Sequence, residues 1–118
     1  PDGVEPVEAA VRDALDAGAR VILTAGGTGV APRDLTPEAT ATVIARDLPG
    51  VAELLRREGA DSTPTAALSR GRAGVTAGDP AAVVVNLPGS ERGARESVAT
   101  LLPLLPHLIA QLDGGDHR

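Results

Sequence analysis

Residues 20–40 constrain this chain most, because an apolar β-branched run, a glycine-rich turn and a capped helix follow one another without a linker. Arg20-Val21-Ile22-Leu23-Thr24 is short and apolar, the pattern of a strand buried on both faces of a parallel sheet. Gly26-Gly27-Thr28-Gly29 then turns the chain, and Thr36-Pro37-Glu38 supplies an N-cap, a proline for the first helical position and an acid for the helix dipole. A helix is predicted over 36–46, broken by Pro49-Gly50.

The rest of the chain continues the alternation. Asp2 and Glu5 form a capping box, and Val4, Val7, Val11, Ala14 and Leu15 recur at helical spacing until Gly18 ends the first helix. Val51, Leu54, Leu55 and Glu58 predict a short helix ended by Gly59, and residues 65–68 and 74–76 are expected as short extended pieces. Residues 82–87 form the second buried strand, running into Pro88-Gly89-Ser90. Ser90 caps the helix that follows, Glu91 suits its dipole, Val98, Leu101 and Leu102 form its inner face, and Pro103 interrupts it. A closing helix is expected over 104–112, then a polar tail over 114–118. The pattern is that of one α/β domain, residues 1–113, with a mainly parallel sheet. Two strong strands are few for a sheet, so further strands before Pro1, or cover from neighbouring subunits, are expected.

Composition limits the chemistry. With 118 residues and 42% hydrophobic content the chain can build a modest core, but Phe, Trp, Tyr and Met are all absent, so that core is aliphatic. Base stacking is thereby excluded, and with a net charge of −5 nucleic acid is not an expected partner. Without cysteine there is no disulfide, thiolate metal site or cysteine nucleophile, which fits a cytoplasmic protein. No apolar run approaches the roughly 20 residues of a membrane helix, so no membrane partner is expected. His107 and His117 are solitary and suggest no metal site.

The candidate chemistry lies in the two loops. In open parallel sheets, ligands bind beyond the carboxyl ends of the strands, where loops lead into helix N-termini. Gly26, Gly27, Thr28 and Gly29 offer backbone N–H groups and a hydroxyl as an anion nest, and Pro88, Gly89 and Ser90 offer a second. Neither nucleotide fingerprint fits: the spacing is not GxGxxG, and a Walker loop needs a Lys, which the chain lacks. Arg33 suits bidentate phosphate contact, and Asp34 can hold Mg²⁺ or act on a proton, although a local ion pair or turn explains the same two residues. Ser69 and Arg70 are a further anion contact or a solvated loop.

Taken together, Gly26-Gly27-Thr28-Gly29 with Arg33-Asp34 and residues 36–40 (TPEAT), then Pro49-Gly50, then Leu68-Ser69-Arg70, then Asn86-Leu87-Pro88-Gly89-Ser90 resemble the molybdenum-cofactor biosynthesis domain of MogA/MoaB and gephyrin G-domain type. The resemblance implies a three-layer α/β/α sandwich, commonly a trimer or a dimer of trimers, with part of the domain, including its first strand, before Pro1. It implies binding of molybdopterin and, in catalytic members, Mg²⁺-dependent transfer of AMP from ATP, with pyrophosphate released and the product passed to a molybdenum insertase. By that resemblance Asp2 and Asp34 are the catalytic and metal-binding pair, and Gly26, Gly27, Thr28, Gly29, Arg33, Ser69, Arg70, Asn86, Pro88, Gly89 and Ser90 contact the ligands. The chain departs from the pattern at Gly59, where some adenylyltransferase members carry serine, and over 58–62. A non-catalytic molybdopterin-binding scaffold and a nucleotide-processing hydrolase are the alternatives on the same fold.

Overall fold

A computed structural model describes residues 3–114. Asp2, His117 and residues 115–118 of the expected tail lie outside the described residues. The chain alternates helix and strand: α1 (Val4–Asp16), β1 (Val21–Ala25), α2 (Thr36–Ala41), β2 (Arg46–Asp47), α3 (Pro49–Ser62), a 3-10 turn (Pro64–Leu68), β3 (Ala73–Val75), β4 (Val83–Leu87), α4 (Glu91–Leu101), a second 3-10 turn (Leu102–Leu104) and α5 (Leu105–Leu112).

The described strands form one sheet in the order β1-β4-β3-β2. β1 and β4 are parallel, in register from Val21 opposite Val83 to Ala25 opposite Leu87. β3 pairs antiparallel with both β4 and β2, so the expected mainly parallel sheet is refined to a mixed one. The parallel pair is the one whose strands end in the glycine loops.

β4 has neighbours on both edges and every residue buried, which is why it reads as an unbroken apolar run. Its side chains alternate between two cores. Val83, Val85 and Leu87 pack with Ala52 of α3, Leu101 of α4 and the apolar faces of α5. Val84 turns to the other side and joins Val11 of α1, Ile22 of β1 and Val43. Helices therefore cover both faces of the sheet, giving the three-layer α/β/α arrangement, and aliphatic side chains alone fill both cores.

Several local expectations change. α2 stops at Ala41 rather than 46, because the chain after it is drawn into the sheet: the Ala45 N–H donates to Val75 O at 2.8 Å and the Leu48 N–H to Ala73 O at 2.8 Å. The N-cap position of α2 is Leu35, and Thr36 is its first residue, its N–H donating to Gly27 O at 3.1 Å. α3 runs through Gly59 to Ser62, and residues 64–68 wind as a 3-10 turn instead of an extended piece. Gly3 stands at the N-cap of α1, which has no side-chain cap among the described residues. Ser90 does cap α4, accepting from the Gly93 N–H at 3.1 Å, and Pro103 lies in the turn that ends it.

Candidate functional site

The two glycine loops meet. Beyond the last paired residues of β1 and β4, the Gly26 N–H donates to Leu87 O at 3.0 Å, and backbone then lies on backbone: a Cβ on Gly89 would fall 3.2 Å from Gly26 Cα. Gly27 has φ +69°, and any Cβ there would strike Thr36 Oγ1 at 2.2 Å, so this turn requires glycine.

Beside this junction lies a cavity of about 240 Å³. Thr28 and Gly29 form one wall, and Pro88, Gly89 and Ser90 with Gly93, Glu96 and Ser97 of α4 form another. The third wall is α3 and the chain after it, through Arg56, Gly59, Ser69, Gly71 and Arg72. Its apolar lining comes from Ala52, Leu55, Ala66 and Leu68, so the cavity is apolar on the α3 side and rich in donors at the loops.

Its charges favour an anion. Arg56 and Arg72 line the cavity against one carboxylate, Glu96, although the whole chain carries −5. Arg56 donates to Gly71 O at 3.1 Å, Arg72 pairs with Asp47 at 2.9 Å, and Glu96 accepts from Ser62 Oγ at 2.9 Å, so all three are held in place. Neither arginine is legible as a site residue from motifs. The available signal is helical spacing: residues 52, 55, 56, 59 and 63 form one stripe along α3 and its C-cap, and residues 93, 96 and 97 one stripe of α4.

Of the residues expected to contact ligand, Thr28, Gly29, Ser69, Asn86, Pro88, Gly89 and Ser90 line the cavity. Gly26 and Gly27 build the turn behind it, while Arg33 and Asp34 lie on the outer part of the loop, Arg33 exposed. Asn86 is buried at 5% exposure, and its amide is spent on the scaffold: Nδ2 donates to Thr24 Oγ1 at 2.9 Å, and Oδ1 accepts from the Arg72 N–H at 2.9 Å. Ser69 Oγ likewise accepts from the Gly71 N–H at 3.1 Å.

Arg70 departs furthest from its expected role as an anion contact. Its Nε donates to Gly29 O at 2.7 Å, its Nη2 to Asp34 O, and its Nη1 to Glu38 at 2.6 Å. The guanidinium is thus committed to the protein, behind the glycine loop. The contact with Glu38 raises the Arg70 pKa and holds the Glu38 carboxyl below the usual value.

Asp34 closes the loop on itself. Its Oδ2 accepts from the Ala31 N–H at 3.1 Å, and its own N–H donates to Ala31 O at 2.9 Å, so the turn expected as the plainer explanation of this residue is present. The same Oδ2 would lie 2.7 Å from a Cβ on Gly29, which places the carboxylate directly against the loop. Among the described residues no group of three or more His, Cys, Asp and Glu side chains is assembled to hold a metal ion. A single carboxylate suits Mg²⁺ only when phosphates of the substrate supply most of the coordination.

Fold and site together define an α/β/α domain with an anion-favouring, half-apolar cavity at the carboxyl ends of two parallel strands. Residues 1–107 match the family described as "Probable molybdopterin binding domain", and the chain belongs to that family of molybdenum-cofactor biosynthesis domains. It is 43% identical over 111 residues to the molybdenum cofactor biosynthesis bifunctional protein of Synechococcus elongatus, covering 94% of this chain and 34% of that protein. It is 40% identical over 89 residues to the molybdopterin adenylyltransferase of Helicobacter pylori, covering 75% of this chain and 49% of that one. The crystal structure of the molybdopterin biosynthesis enzyme MoaB from Thermus thermophilus superposes with a TM-score of 0.85 at 47% identity, covering 100% of this chain and 73% of that one. The chain therefore spans half or less of the length of these two curated relatives. No helix among the described residues is long and apolar enough to cross a membrane.

Proposed function

We propose that this domain binds molybdopterin and transfers AMP to it from ATP. The observation that carries the reading is the meeting of the Gly26 and Gly89 loops beside a cavity bearing Arg56 and Arg72. The apolar α3 side, through Leu55 and Ala66, suits a flat heterocycle, and the loops and arginines suit the phosphates. The adenylyltransferase name of the Helicobacter relative supports the same reaction.

In that reaction the terminal phosphate oxygen of molybdopterin attacks the α-phosphorus of ATP; a P–O bond forms there, and the bond to the bridging oxygen breaks as pyrophosphate leaves. The acceptor phosphate is itself the nucleophile, so the protein supplies position and charge. The N–H groups of the Thr28-Gly29 turn and of Gly89 and Ser90 receive phosphate oxygens, and Arg56 and Arg72 offset the charge gathered there. Asp34, with Asp2, would hold Mg²⁺, which when bound neutralises the phosphates of ATP.

The same reading makes the protein a cytoplasmic homo-oligomer, a trimer or dimer of trimers, whose adenylylated product passes to a molybdenum insertase. On this reading residues 1–113 belong to that molybdopterin-binding domain.

Incubating the intact protein with ATP, Mg²⁺ and molybdopterin tests the proposal: adenylylated molybdopterin and pyrophosphate are expected in equal amounts by chromatography. A second reading, a non-catalytic pterin-binding scaffold, draws on the engagement of the Asp34 carboxylate with Ala31. Molybdopterin binding with ATP left unconsumed would select it.

A further inference from the structure

The glycine loop is held from behind, and the holding residues are not those that line the cavity. Three successive carbonyls are anchored. Gly27 O accepts from the Thr36 N–H at 3.1 Å, Thr28 O from the Arg70 N–H at 2.8 Å, and Gly29 O from Arg70 Nε at 2.7 Å. In a trans peptide the C=O and the following N–H point in opposite directions. Anchoring these carbonyls therefore turns the N–H groups of Thr28, Gly29 and Val30 the other way, and none of the three donates to another backbone group among the described residues. Thr28 and Gly29 line the cavity while the Arg70 side chain, which holds Gly29 O, stands outside it between the lining residues Ser69 and Gly71.

Arg70 also binds the carbonyl of Asp34, so one guanidinium fixes both the anion-facing turn and the backbone of the candidate metal ligand. Glu38, on the first turn of α2, grips the same guanidinium at 2.6 Å and 3.3 Å. A planar fork with donors on several sides can make these contacts together, and a lysine ammonium cannot.

We propose that Arg70 and Glu38 form a positioning clamp that holds the glycine loop in the shape in which it meets the phosphates of the ligand, and that neither residue touches the ligand. The inference rests on the reading of the cavity as an anion site and extends it to residues outside the cavity. It separates cleanly from the alternative in which Arg70 holds the anion by its charge. Under that alternative, removing the negative charge of Glu38 strengthens anion binding; under the clamp, it weakens binding because the guanidinium loses its anchor.

The test measures binding of inorganic pyrophosphate to the intact protein by calorimetry, beside the melting temperature. Glu38→Gln is expected to weaken pyrophosphate binding by about threefold with the protein still fully folded at the assay temperature, the scale of one exposed ion pair. Arg70→Lys, which keeps the charge, is expected to weaken it by about tenfold, the scale of one charge-assisted hydrogen bond. Tighter or unchanged binding in Glu38→Gln, or unchanged binding in Arg70→Lys, overturns the clamp, as does a wild-type protein that binds no pyrophosphate. If both variants weaken binding while the wild type forms no adenylylated molybdopterin, the clamp stands and adenylyl transfer is the part that fails.

Discussion

Gly26 and Gly89 touch backbone to backbone, and this contact joins the ends of β1 and β4 into one site. A Cβ on Gly89 would lie 3.2 Å from Gly26 Cα, with no flexible side chain between them to move aside. Gly89→Ala should therefore spread the loops by a few tenths of an ångström without disturbing the cores, costing about 1 kcal/mol of stability, as mild overpacking does. Catalysis depends on tighter tolerances, so adenylyl transfer should fall at least about tenfold. Comparing Tm with the rate of product formation checks this, and a variant that loses neither would show that the loops are not read together by a ligand.

Asp34 serves two purposes that a single substitution can separate. Its Oδ2 accepts from the Ala31 N–H at 3.1 Å, a contact an asparagine oxygen can also make. Asp34→Asn should thus keep the turn and lose the negative charge, whereas Asp34→Ala loses both. If the carboxylate holds Mg²⁺, the two variants should fall alike, by about a hundredfold or more in kcat. An Asn variant with wild-type turnover would reduce Asp34 to a turn residue.

Asn86 joins three elements from within the core. At 5% exposure it donates to Thr24 Oγ1 of β1 and accepts from the Arg72 N–H, and Thr40 Oγ1 of α2 lies 3.3 Å from its Nδ2. Asn86→Ala would leave the Arg72 N–H and the Thr40 hydroxyl without this partner, with a cavity where the amide stood. A loss of about 3 kcal/mol is expected, measured by urea unfolding. Because Arg72 also lines the ligand cavity, anion affinity should fall together with stability.

These cases also explain what can be read from the sequence. Strand 83–87 is visible because β4 is buried on both faces. Strand 21–25 is visible as an apolar β-branched run, but β1 lies at the edge of the described sheet with only Ile22 buried and Leu23 exposed, so the expectation of burial on both faces does not hold for it. The loops after both strands are visible because a tight turn leaves its mark in glycine and proline. β2 reads as the end of a helix: two residues pair with β3, and residues 42–46 carry no alternation that would betray a strand. Residues 65–68 read as extended, because the 3-10 turn of five residues that contains them, Pro64–Leu68, has too few turns to show a period. The cavity wall is hidden for another reason. Arg56 and Arg72 are ordinary solvated arginines in sequence, and only the packing of α3 against β3 brings them to the same cavity. Arg70 stands out in sequence, but as a ligand contact, since its residue type suits phosphate and carbonyl oxygens equally.

The ion pair of Glu38 with Arg70 gives the clamp a pH dependence of definite sign. Arg70, chiefly by hydrogen bonding, holds the Glu38 carboxyl below its ordinary value of 4.5, with Arg72 adding a smaller attraction. A carboxyl with a lowered native pKa contributes stability that is complete above its unfolded value and is lost as pH falls through the native one. Arg70 stays protonated throughout, since the same contact raises its pKa. Wild type and Glu38→Gln should accordingly differ slightly in urea midpoint at pH 7, and the difference should close as pH drops below 4.5. The gap should also narrow with added salt, because both side chains are partly exposed, at 37% and 46%. A difference that stays constant down to pH 3 would mean that the glutamate contributes through packing rather than through its charge on Arg70.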